Sequence, residues 1–305
     1  KNVVNMSWRL AFHSTKLVTS YLFPVRVKAF REAIFDGNVE IIRALAEKRP
    51  RLLYQTIDAD GNTALGLAVL LGEVEIVKTL LALGSDPNLA NGFDHNHPLV
   101  ILAKLRQEES STTHLLADIL LEAGSDPNRI VHYQADNLNR LDATQTPSFC
   151  ETPFLCAIRY SNETLVKKLC DKGVDVDQPN EDTGMTALML ASTMGFDSIV
   201  NVLLDAGAQP NQVDFQGNTA LHHAAAGYGE NIECIKSLIA RGADVNIANE
   251  EGSTPLIVAK ENSNDALVKL LTSASSIEPQ SSKLSSSPVY DKVDSATEQT
   301  IFSFT

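Results

Sequence analysis

The chain is poor in the residues on which zinc modules, secreted scaffolds and nucleic-acid binders depend. Its 305 residues hold four cysteines and one tryptophan, and aromatic residues make up 6%. Cys150, Cys156, Cys170 and Cys234 form no Cys-x-x-Cys pair, which excludes a zinc knuckle and a thioredoxin-like motif. They are also too few and too scattered for a disulfide framework, and read as free thiols in a reducing, cytoplasmic setting. No run of 18 apolar residues occurs, so no transmembrane segment is expected. Positive charge is scarce as well: 25 Lys+Arg face 38 Asp+Glu, a formal net charge of −13. Phosphate contacts need a dense Lys/Arg face, so nucleic acid is not an expected partner.

Catalytic signatures are missing too. There is no Gly-x-x-x-x-Gly-Lys-Ser/Thr phosphate loop, no Gly-x-Gly-x-x-Gly before a helix, no His-Glu-x-x-His and no Gly-x-Ser-x-Gly. His222 and His223 are adjacent, point about 100° apart on a helix and cannot share a metal. His95 and His97, two residues apart, would need a third ligand such as Asp94. No catalytic residue, cofactor or metal site is therefore assigned, and the chain is read as a non-enzyme.

What is present is a repeat. With 44% hydrophobic residues the chain can build a core. The phrases GNTALGLA (61–68), NHPLVILA (96–103), ETPFLCAI (151–158), GMTALMLA (184–191), GNTALHHA (217–224) and GSTPLIVA (252–259) are variants of one another. Anchored on Thr63, His97, Thr152, Thr186, Thr219 and Thr254, they recur at intervals of 34, 55, 34, 33 and 35. A second phrase follows the first five: LLALGSDPN (80–88), LLEAGSDPN (120–128), LCDKGVDVD (169–177), LLDAGAQPN (203–211) and LIARGADVN (238–246).

Each phrase has a physical reading. The leading Thr is a helix N-cap, and Pro or Ala suits the first turn. Leu65, Leu188, Leu221 and Leu256 enter the core, and small Ala residues follow where helices approach closely. Gly72 and Gly195 end the first helix in the left-handed conformation. A second helix places Ile76, Val77, Leu80 and Leu81, or Ile199, Val200, Leu203 and Leu204, at helical spacing. Gly84, Gly124, Gly173, Gly207 and Gly242 end it, and Asp-Pro-Asn or Asp-Val-Asn turns the chain into a hairpin.

On these phrases the sequence resembles the ankyrin repeat family, GNTALHHAAA with RGADVNIAN (217–249) being the closest copy. The resemblance implies an all-α repeat solenoid: a stack of helix–turn–helix units with projecting β-hairpins. Residues 26–273 form the expected repeat domain, divided as 26–57 (cap), 58–91, 92–128, 129–178, 179–213, 214–249 and 250–273. The cap has two helices around Gly37 but lacks the Thr-Pro-Leu start. Six extra residues fall within RQEESSTTH (106–114), expected as a longer turn between helices. About 16 more fall in 129–150, where a hairpin belongs, with His132, Tyr133 and Phe149 as candidate anchors; this loop is either a partner contact or a tolerated excursion. The fifth repeat is two residues longer than the first, around 226–231.

The flanks differ in character. Residues 1–25 are basic and apolar, and read either as a cover for the end of the solenoid or as a targeting segment. Residues 274–305 read as a flexible Ser-rich tail, with Ser287 and Tyr290 as candidate phosphoacceptors. Residues 1–31 carry a formal +6 and no acid, leaving −19 on the other 274.

The resemblance further implies that hairpin tips and the ends of first helices line a concave binding groove. The expected contact residues are Phe93, Tyr133, Arg159, Tyr160, Met185, Met194, Phe215, Gln216, Glu250 and Glu251. Phe93, Tyr160, Met185, Met194 and Phe215 stand out because they are bulky where idle positions would be polar. His222 is expected to hydrogen-bond the neighbouring hairpin, and Asn211 and Asn246 match positions hydroxylated in the family. The expected function is a non-catalytic adaptor or scaffold binding a protein or peptide, basic or amphipathic in character, with the chain itself monomeric. Two alternatives stand beside it: the ankyrin portion of a larger enzyme, and a bacterial effector delivered into a host cell to bind a host protein.

Overall fold

The structure, a computed structural model, describes residues 25–92, 95–105, 111–132, 150–227 and 231–275. The first unit comprises α1 (Val25–Phe35), α2 (Val39–Lys48) and a 3-10 turn (Pro50–Leu53). Six helix pairs follow: α3 (Ala64–Leu71) with α4 (Val74–Ala82), α5 (Pro98–Lys104) with α6 (Ser111–Glu122), α7 (Pro153–Arg159) with α8 (Glu163–Asp171), α9 (Ala187–Met194) with α10 (Asp197–Asp205), α11 (Ala220–Ala226) with α12 (Ile232–Ala240), and α13 (Pro255–Glu261) with α14 (Asp265–Ser275). First helices stack on first helices and second helices on second helices, giving two layers along the repeat axis. The architecture is the all-α ankyrin-type solenoid that the phrases imply.

Local chemistry sets each unit. Thr63, Thr152 and Thr186 cap their helices by accepting the N–H of Gly66, Leu155 and Met189. Each such cap is worth about 1 kcal/mol relative to alanine. Gly72 and Gly195 close α3 and α9 at φ 72° and 68°. The two helices of a pair differ in pattern. In α9, Ala187 to Ser192 are all buried, because the helix is enclosed by its own partner and by the first helices on either side. In α8 only Leu165, Val166 and Leu169 are buried, on one stripe, with Glu163 and Lys167 facing solvent. One continuous core runs from Val27 to Leu271.

The hairpins are tighter than strand ladders. Five tips each close with a backbone bond, such as Ile57 N–H to Asn62 O (2.8 Å) and Asn180 N–H to Met185 O (2.8 Å). An Asp or Asn opens each of them, and its side-chain oxygen accepts backbone N–H groups further round the turn. Among the described residues, strand pairing is confined to Val131–His132 against Cys150–Glu151 and a single bridge between Thr56 and Thr63. That short antiparallel stem brackets the long insertion.

One expectation on the insertions is changed. The six extra residues of the second repeat are not all turn, since 111–114 form the start of α6. That helix has 12 residues where α4 has 9, so one turn of added helix absorbs half of the insertion. The first unit starts its helix at Val25 and the last continues to Ser275, slightly past the limits drawn from the phrases. Residues 1–24, 133–149 and 276–305 lie outside the described residues, and with them the expectations for the N-terminal segment, Tyr133, Phe149 and the Ser-rich tail.

Candidate functional site

The surface made by hairpin tips and first helices is held in register by hydrogen bonds between repeats. The N–H of Gly92 donates to Gly61 O (2.8 Å), that of Phe215 to Thr183 O (3.1 Å) and that of Glu250 to Gln216 O (3.0 Å). Behind the tips, asparagines join the helix ends. Asn162 donates to Leu102 O (3.2 Å), and Asn231 to Ala224 O (3.0 Å) and Ser192 O (3.4 Å). At the second-helix ends, Asn88 and Asn211 each clasp the next repeat, donating to Gly124 O and Gly242 O and accepting from Asp126 N and Asp244 N. Each clasp gives a protein partner to the carbonyl of the glycine that follows a second helix.

His222 is a structural pin. Ser253 O can only accept, so Nε2 carries the proton and donates to it (2.9 Å), while Nδ1 accepts from Thr219 N (3.1 Å). Burial, the largest influence, holds the pKa of His222 below its ordinary value, and the ring works as a neutral two-ended connector. It ties the fifth repeat to the tip of the sixth, as the resemblance implies.

His223 forms a second connector, one that no phrase in the sequence announces. Its Nε2 donates to Asp214 Oδ2 (2.8 Å), and its Nδ1 lies 3.3 Å from Thr193 Oγ1 of the preceding repeat. Asp214 also accepts the N–H groups of Gln216 (2.9 Å) and Asn218 (2.8 Å). Burial alone would raise the Asp214 pKa, but the His223 bond and these two backbone donors together bring it below the ordinary carboxylate value. The tip that carries Phe215 and Gln216 is thus anchored to α11 and α9.

The expected contact residues take different places. Phe215 is an exposed hydrophobic side chain, 58% accessible. Gln216, Glu250 and Glu251 are exposed on the tips. Tyr160, Met185 and Met194 are half-buried and lean on the core, so each shows only part of its surface. Arg159, the last residue of α7, is half-buried too. Phe93 and Tyr133 lie outside the described residues. Met185, Gly184, Phe215, Asp214, His223, Thr193 and Met194 follow one another through contacts or chain adjacency on the fourth and fifth repeats.

The three described thiols are unsuited to nucleophilic chemistry. Cys156 is buried among core residues. Burial, with the Asp171 charge, pushes Cys170 up to about 11. Burial first, then the bond from Cys234 Sγ to Asp197 Oδ1 (2.7 Å), raises Cys234 as well. The side chain of Cys150 lies outside the described residues. No group of three or more His, Cys, Asp or Glu able to hold a metal occurs among the described residues, and no helix there is long and apolar enough to cross a membrane.

A family model of ankyrin repeats, in three copies, matches residues 16–91, 114–214 and 209–282. Among relatives, the putative ankyrin repeat protein FPV031 of Fowlpox virus is 36% identical over 126 residues, 40% of this chain and 37% of that protein. The E3 ubiquitin-protein ligase KEG of Arabidopsis thaliana is 25% identical over 314 residues, 80% of this chain and 19% of that protein. The chain spans well under half the length of either. Among solved structures, the ankyrin repeat domain of Bcl-3 superposes with a TM-score of 0.62 at 22% identity, covering 80% of this chain and 97% of that domain.

Proposed function

We propose, from the premise that the chain belongs to the ankyrin repeat family, that it is a non-catalytic adaptor capturing a protein or extended peptide on the patch centred on Phe215. Ankyrin repeat domains are in general protein-interaction modules, and the fold is typically non-catalytic. The observation that carries the reading is the exposure of Phe215. A large apolar side chain stands in solvent on a tip anchored through Asp214 and His223, where a purely structural turn needs no aromatic. The surrounding acidic tips favour a basic or amphipathic partner through charge complementarity.

The test is affinity capture with Tyr160→Ser, Met194→Ser and Phe215→Ser combined, compared with the unchanged chain. Circular dichroism of both checks that the stack survives. Loss of the captured protein is expected, and undiminished capture by the folded variant refutes the assignment.

A second reading, in which this stack is the ankyrin portion of a larger enzyme, is favoured by one observation. The chain matches 19% of an E3 ubiquitin-protein ligase. In that case the same patch selects a partner for chemistry carried elsewhere.

A further inference from the structure

The tip of the fifth repeat carries something the other described tips lack. Phe215 follows the turn-opening Asp214, where the equivalent positions hold Ala59, Gly92, Glu181 and Glu250. One side of the ring packs against the preceding tip. Gly184 of the preceding tip is at φ 73°, and a methyl group there would lie 2.7 Å from Phe215 Cδ1 and 2.9 Å from its backbone nitrogen. The ring therefore lies against the glycine backbone, with 58% of the residue accessible.

Its surroundings carry charge of one sign. Glu181 and Asp182 on the preceding tip and Glu250 and Glu251 on the following one are exposed. Glu181, Glu250 and Glu251 take part in none of the salt bridges formed among the described residues. From Gly173 to Ile235 the chain has nine Asp and Glu and not one Lys or Arg. Asp205 and Glu233 in that stretch pair with Arg241 and Lys236 just beyond it, but the carboxylates of Glu181, Glu250 and Glu251 on the tips flanking Phe215 form no such pair among the described residues.

We infer that this tip is a docking point for an arginine side chain in an extended cationic segment of a partner protein. The guanidinium stacks on the solvent face of Phe215, and the carboxylates of the flanking tips neutralise its charge. An aromatic face carries negative quadrupole potential, and a planar, weakly hydrated guanidinium meets it better than a compact ammonium does. A ring braced on one side by the glycine backbone loses less freedom on binding than one surrounded by solvent. The inference rests on the proposed reading of this patch as a binding surface and narrows it to one chemistry.

The test uses the full chain, titrated with nona-arginine, nona-lysine and a neutral Gly-Ser nonapeptide while backbone amide signals are followed by NMR. Nona-arginine is expected to shift Gly184, Phe215, Gln216 and Glu250 and to bind more tightly than nona-lysine, with no response to the neutral peptide. Phe215→Leu is expected to weaken nona-arginine about fivefold and Phe215→Trp to preserve it. Glu181→Gln with Glu250→Gln and Glu251→Gln is expected to weaken both cationic peptides. These exposed changes leave the rest of the spectrum in place, which verifies the fold. Equal binding to Phe215→Leu, or shifts centred on another repeat, overturns the inference. If the triple-serine variant loses its captured protein while nona-arginine shows no response, only the arginine assignment falls. If capture is undiminished, the reading of the patch falls instead.

Discussion

Asp177 Oδ1 accepts the backbone N–H of Gln209 at 2.9 Å, so a carboxylate stands where the first and fourth repeats use an asparagine clasp. Asn88 and Asn211 accept in the same way and also donate to the carbonyl of the glycine ending the next second helix. Asp177 has no donor for Gly207, the corresponding glycine. Burial raises its pKa, with Asp175 adding to the effect against the lowering by the Gln209 bond. Asp177→Asn should therefore stabilise the stack by about 1 kcal/mol at neutral pH. A folded pKa above the unfolded value means that the carboxylate is unfavourable at neutral pH, and that the penalty fades as pH falls through the folded pKa towards the unfolded one. Urea denaturation at pH 7 and near pH 4 should show the gap between variant and parent shrinking in acid.

His97 is the weak point of the second repeat. It occupies the N-cap place held elsewhere by Thr, is 1% exposed, and among the described residues neither ring nitrogen has a well-formed hydrogen bond, only a weak influence from the Arg129 backbone. Burial first, then the charge of Arg129, lowers its pKa to about 4. The folded state resists protonation, so stability is lost as pH falls from about 6.5 towards 4, by up to roughly 3 kcal/mol. His97→Thr should restore the cap and flatten this acid dependence, read as denaturation midpoints at pH 7 and 4.5.

Asp214 and Phe215 are adjacent but should behave oppositely. Asp214→Ala strands His223 and the N–H groups of Gln216 and Asn218, and should cost about 2 kcal/mol of stability. Phe215→Ala removes an exposed side chain and should change stability by about 0.5 kcal/mol or less. A thermal melt in which Phe215→Ala is the more damaging of the two would contradict this division between anchor and contact.

Thiol accessibility offers an independent check on the core. Alkylation of the native chain, resolved by peptide mass spectrometry, should leave Cys156 and Cys234 unmodified and label both after unfolding in urea. Cys170, half-buried with a raised pKa, should react slowly at neutral pH and faster in alkaline buffer. Rapid native labelling of Cys234 would mean that α12 does not pack as described.

The amino-acid sequence by itself determined the solenoid, because what defines a repeat is local. A Thr cap, an apolar helix, a left-handed glycine and a second amphipathic stripe each act within a few residues, and their recurrence forces stacking. Thr63, Gly72, Thr186 and Gly195 stand in the roles that spacing assigned them. His222 was legible for the same reason, since it lies three residues after its cap at a position the family phrase marks. The sequence also exposed the two insertions, though not that one of them would extend α6.

The candidate site depends on contacts between repeats. Thr193 and His223 are 30 residues apart and meet only because α9 and α11 stack, while Asp214 takes the other ring nitrogen of His223 from the tip of the same repeat. Likewise, one list of bulky residues covered Tyr160, Met194 and Phe215 alike, since hydropathy cannot tell a side chain leaning on the core from one lying on a neighbouring glycine. Burial is a property of the packed assembly. Only the tertiary structure, by leaning Tyr160, Met185 and Met194 on the core and leaving Phe215 outside it, set how much of each candidate reaches solvent.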